Sequence, residues 1–97
     1  GIAFAASTGR QIYLWFVKGN SGNVDLSASP QIAAGTVVGQ ILILIGCSDT
    51  DTILLEDGTG LELKNGSRRL KDGSVIALIW DGTNWCEMFW NNVGDLG

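Results

Sequence analysis

Residues 39–63 read GQILILIGCSDTDTILLEDGTGLEL, and the run Ile41, Leu42, Ile43, Leu44, Ile45 near the start decides the fold class. Successive side chains on a strand point to opposite faces of a sheet, so a strand with no polar member needs cover on both faces. A chain of 97 residues has little interior to offer. A domain of this size buries only about two-thirds of the surface that its unfolded chain exposes. The second face of the run therefore points to a partner surface or to a copy of the same chain.

From that run to Trp90 the pattern is one of short strands and tight turns. Strands are expected at residues 40–45, 52–56, 61–63, 68–70, 74–80 and 84–90, separated by turns at Asp57-Gly58, Asn65-Gly66, Asp72-Gly73 and Asp81-Gly82. Asp-Gly and Asn-Gly supply the positive φ that tight hairpins require. Evenly spaced short strands with turn signals indicate an all-β meander or sandwich, not alternating strands and helices. The spacing therefore predicts an antiparallel, short-stranded β domain.

Upstream, residues 11–17 (QIYLWFV) form the first clear strand, with Ile12, Leu14 and Phe16 on one face and Tyr13, Trp15 and Val17 on the other. Residues 18–23 read as a turn, residues 24–26 as a short strand, and Pro30 ends it because proline cannot hold a central ladder position. The small residues Ala33, Ala34, Gly35 and Thr36 suit a loop packed closely over another backbone. Residues 1–10 carry no pattern and read as a connector. The division expected is a connector over 1–10 and one β domain over 11–97, the C-terminal module of a longer protein, since the chain opens at Gly1.

Composition narrows the function. The chain is 45% hydrophobic and 16% charged, with fourteen Gly and one Pro, which favours turns over helices. The formal net charge of −4 argues against nucleic acid, which calls for a basic face. No stretch approaches the ~20 apolar residues of a spanning helix, so membrane insertion is not expected. There is no His, which removes the commonest general base and the usual nucleophile and metal sets. Cys47 and Cys86 are too few for a zinc cluster. They are either two small buried side chains, which residue preference favours, or one bridge. No catalysis, cofactor or metal is expected.

Three groups of residues offer weaker signals. Asp49, Asp51, Glu56 and Asp57 can hold a calcium ion in principle, yet Asp in turns more often caps its own backbone. Lys64, Arg68, Arg69 and Lys71 can grip an anionic sugar or phosphate, or simply keep an edge strand soluble. Among Trp15, Trp80, Trp85 and Trp90, strict alternation sets Trp85, Glu87 and Phe89 on one face and Cys86, Met88 and Trp90 on the other. A flat ring beside Asn84 and a carboxylate suits a pyranose, whereas tryptophans in small β domains are mostly core and interface anchors. Trp80, at the end of an apolar strand, reads as core. The ligand candidates are Trp85, Trp90, Arg68, Arg69 and Lys71. The candidates for core or interface are Ile12, Leu14, Phe16, Ile41, Ile43, Ile45, Leu54 and Trp80.

Gly39, Gln40, the run 41–45, Gly46, Ser48, Asp49, Thr50, Thr52, Asp57, Gly58, Gly60, Leu61 and Leu63, followed by Asp81, Gly82, Thr83 and Trp85, make up a recurrent turn-and-strand phrase. It resembles a C-terminal segment of bacteriophage tail-fibre and tailspike proteins. The match covers roughly half the chain, with Cys47 and Cys86 standing where Thr or Val is expected. The resemblance implies a parallel homotrimer held by C-terminal β domains, located in the virion, made in the host cytoplasm and able to carry the tip that touches the host. A structural trimerisation module is the first expectation, and a receptor-binding domain for a host-surface carbohydrate is the alternative. Three copies about an axis would cover the second faces of QIYLWFV and QILILI.

Overall fold

A computed structural model describes residues 12–19, 22, 24–26, 31–58, 60–64 and 66–91, with residues 24–26 described by their backbone alone. The expected connector at 1–10, the break at Pro30 and the chain end beyond Asn91 lie outside these residues. Eight strands are present among them: β1 Ile12–Val17, β2 Val24–Leu26, β3 Ile41–Gly46, β4 Ile53–Leu55, β5 Leu61–Glu62, β6 Arg68–Leu70, β7 Val75–Trp80 and β8 Trp85–Asn91. No helix among the described residues is long and apolar enough to cross a membrane.

The strands form two sheets, ordered β1-β3-β7-β8-β5 and β2-β4-β6. From β1 to β7 every consecutive strand changes sheet, and only β7 and β8 are neighbours both in sequence and in a sheet. The expectation of an antiparallel meander is corrected here. The pairs β1/β3, β2/β4 and β5/β8 are parallel, while β3/β7, β4/β6 and β7/β8 are antiparallel. Most of the short links cross from one sheet to the other instead of folding back alongside. Between β1 and β3, and between β2 and β4, the chain crosses to the other sheet and back, the long connection that parallel pairing needs, whereas β4 and β6 are joined through β5 and run antiparallel.

The core lies between the sheets. Leu42 and Leu44 of β3, with Ile76 and Leu78 of β7, face Ile53 and Leu55 of β4 and Leu70 of β6. Trp80 and Trp85 close one end with ring centroids 5.3 Å apart. Residues 31–40 lie over these two indoles, and Gly39 donates to the Trp80 carbonyl. Gly35 packs on the Trp80 ring and leaves no room for a Cβ, and the Trp85 indole N–H donates to the Ala33 carbonyl at 3.0 Å. Gln40 Oε1 accepts from the Thr36 and Val37 amides, and buried Gln31 ties the loop to the Glu56 backbone.

Two places fix the long strands. At the end of β3, Gly46 donates to the Ser74 carbonyl and accepts from the Gly73 amide, and a Cβ there would fall on the Lys71 carbonyl. At the β7–β8 turn, Asp81 Oδ1 accepts from the Thr83 and Asn84 amides at 2.8 and 2.7 Å, and Gly82 takes φ +104°. Those two amides hold the Asp81 carboxyl below its ordinary value, the Asn84 donor contributing most.

Candidate functional site: the outward face of the larger sheet

The register of the larger sheet sorts its outward side chains into three rows. Ile12 lies beside Ile41, Ile79 and Cys86; Leu14 beside Ile43, Ala77 and Phe89; Phe16 beside Ile45, Val75 and Asn91. Ten of these twelve positions are aliphatic or aromatic; the other two, Cys86 and Asn91, lie on β8, and Glu62 of β5 stands beside Cys86. Ile12, Leu14, Phe16 and Phe89 are 59, 50, 68 and 50% exposed. Ile41, Ile43 and Ile45 are half-buried by their own neighbours, and Ala77 is shielded between Ile43 and Phe89. At ordinary strand spacing this area is on the order of 300 Å² in plan, comparable to the largest apolar patch on an ordinary monomer, which is often functional.

The expectation that both faces of the apolar strands need cover is thus half met within one chain. The inner face is sealed by the second sheet, while the outer face is open among the described residues. Of the residues expected at core or interface, Ile12, Leu14, Phe16, Ile41, Ile43 and Ile45 come together on this face. Trp80 is buried in the core, and half-buried Leu54 sits on the outer side of the smaller sheet, opposite Ile53 and Leu55.

The alternation expected for the last strand is corrected by a register shift between Ala77 and Leu78. Ala77 pairs with Phe89 and Leu78 with Glu87, which leaves Met88 as an extra residue. Before the bulge, Trp85 and Glu87 point inward. After it, Phe89 points outward and Trp90 packs against the core. Residue types alone carry no signal of this insertion, and sequence reading accordingly missed Phe89, along with Val75 and Ile79, as members of the open face.

The ligand candidates are distributed differently. Trp85 is fully buried, so neither ring face can receive a sugar. Trp90 lies under the Arg68 guanidinium, 5.3 Å from the ring centroid. Arg68 forks onto buried Glu87, Nε to Oε1 at 2.9 Å and Nη2 to Oε2 at 3.1 Å, a contact that raises the Arg68 pKa against the opposing effect of burial. Arg69 points to the other side of β6 and donates to Thr52 Oγ1 at 2.7 Å. Lys71 begins the turn beside Gly46, and Lys64 reaches the Met88 carbonyl. The basic run is therefore divided among separate tasks and does not converge on one anion.

The acidic loop residues also work separately. Asp49 accepts from the Asp72 amide, Asp51 from the Gly22 amide and Asp57 from the Leu63 amide. A different trio does converge: parallel pairing of β5 with β8 sets Glu62 beside Cys86, and Asp81 joins them with ligand atoms within 4.8 Å of one another. The Cys86 thiol donates to both carboxylates, and its pKa is pushed up to about 12, by burial first and by Asp81 and Glu62 next. No spacing rule brings these residues together, because a parallel pair between distant strands does so. Cys47 lies exposed beyond the far end of β3, about 20 Å along the sheet from the Cys86 row at ordinary strand rise. Both thiols are free, and a bridge within one copy would need Cα atoms closer than about 7 Å.

Two face-packed sheets with an open aliphatic side define an all-β sandwich domain. The chain belongs to the phage depolymerase C-terminal beta sandwich domain family, whose model matches residues 3–86. This agrees with the expected C-terminal β domain of phage tail spikes and places the chain among virion tail components. No curated protein matches the chain, and no solved structure does.

Proposed function

We propose that this chain is the C-terminal structural module of a phage tail spike, holding copies together as a homotrimer in the virion and performing no catalysis itself. The observation that carries this reading is the set of apolar rows across β1, β3 and β7 on the outward face of the larger sheet, with Ile12, Leu14 and Phe16 at least half exposed. Copies about a shared axis would remove that surface from water at about 25 cal/mol per Å². Family membership supports the setting, and depolymerase chemistry is assigned to the remainder of such a spike. The protein is made in the host cytoplasm before assembly. A host-surface carbohydrate role draws no support from Trp85, Trp90 or Arg68, which are engaged in packing.

Light scattering on the full chain at micromolar concentration tests the assembly. The expected mass is three times the 10.3 kDa of one chain. A stable single-chain mass overturns the proposal.

A further inference from the structure

We infer that β8 has two registers open to it against β7, and that Lys64 and Arg68 form a clasp selecting the bulged one. Adjacent aromatic residues create the choice. In the observed register Ala77 pairs with Phe89 and Ile76 with Trp90, so Phe89 stands outward, half exposed, and Trp90 packs against the core. Carrying the Leu78–Glu87 pairing onward without an extra residue would instead set Ala77 opposite Met88, Ile76 opposite Phe89 and Val75 opposite Trp90. A slip of one residue exchanges the two faces of a strand. Phe89 would then take the inner position beside Ile76, and Trp90 would stand outward. Either register puts one aromatic ring inside, so burying a ring does not by itself decide between them.

The bulged register carries the cost of a residue left out of the ladder. Two cations four positions apart offset it on both sides of Met88. Lys64 Nζ donates to the Met88 carbonyl at 3.3 Å and so braces the bulge itself. Arg68 holds Glu87, the residue before the bulge, with Nε 2.9 Å from Oε1, and its guanidinium lies 5.3 Å from the ring centroid of Trp90, two residues after it. A cation over an aromatic face is held best by tryptophan. In the regular register the same guanidinium would meet Phe89, a weaker partner, and the bulge that Lys64 braces would be gone. The clasp therefore sets which side chains stand beside Ala77 and Ile76: Phe89 and Trp90 with it, Met88 and Phe89 without it.

Nuclear magnetic resonance on the isotope-labelled full chain reads the register from the interstrand cross peaks of Ala77. Lys64→Met and Trp90→Phe are compared singly and together, because Trp90→Phe removes the preference for tryptophan under Arg68 yet keeps an aromatic residue at both positions. Lys71→Met is the control, since Lys71 belongs to the same basic run but begins the turn beside Gly46. The expected result is one set of peaks joining Ala77 to Phe89 in the wild type and in Lys71→Met, and a second set joining Ala77 to Met88 in the double variant. A folded double variant with the Phe89 set alone overturns the inference, as does a wild-type chain that pairs Ala77 with Met88. If the double variant fails to fold, the single variants decide by the same criterion.

Discussion

Arg68 and Glu87 form the one ion pair among the described residues, and both side chains are largely withdrawn from water. Removing one partner leaves the other charge buried alone. Arg68→Ala is expected to cost about 3 kcal/mol, whereas the paired change Arg68→Met with Glu87→Leu should recover most of that loss. Urea midpoints of the three chains check both values. Gly46→Ala places a methyl on the Lys71 carbonyl, and the backbone shift it forces is expected to cost about 2–3 kcal/mol by the same measurement. Asp81 gives a pH window. Its folded pKa is lowered by the Asn84 and Thr83 amides, so its contribution is present above the unfolded value and is lost as pH falls through the folded one. The stability gap between wild type and Asp81→Ala should hold steady near neutrality and close below about pH 4. The raised pKa of Cys86 keeps the thiol protonated, so at pH 8 alkylation followed by mass spectrometry should modify exposed Cys47 well ahead of Cys86.

At the scale of elements, hydrophobic pattern and turn residues locate the strands within a residue or so. The apolar residues of β3 and β7 permit little else, and Asp81-Gly82 marks the only hairpin joining neighbours within one sheet among the described residues. Strand order was not legible, because β1/β3 and β5/β8 pair residues more than twenty positions apart and no local signal records which sheet a link enters. Half of the open face could be read from the alternation of Ile12, Leu14 and Phe16 with their neighbours. Phe89 and Asn91 could not, since the bulge reverses the phase of β8 after Glu87. Deleting Met88 should remove the bulge and leave strict alternation with Phe89 still outward and Trp90 still inward, so tryptophan emission is expected to match the wild type, and a red shift would show that Met88 is not the extra residue.

At the scale of the whole molecule, one side of the larger sheet is sealed by β2, β4 and β6, and the other presents aliphatic rows to solvent. The chain carries a net charge of −4, and no charged residue lies in these rows, so the apolar surface is confined to one side of the larger sheet. Hydroxyl-radical footprinting of the native protein, resolved to single side chains by mass spectrometry, measures directly whether copies cover that side. Val38 serves as the internal standard, because its 67% exposure in the single chain equals that of Phe16 to within a percent. The prediction is that Leu14, Phe16 and Phe89 are protected severalfold relative to Val38, each compared with its own intrinsic reactivity. Oxidation of all three at the rates of freely exposed side chains would contradict it.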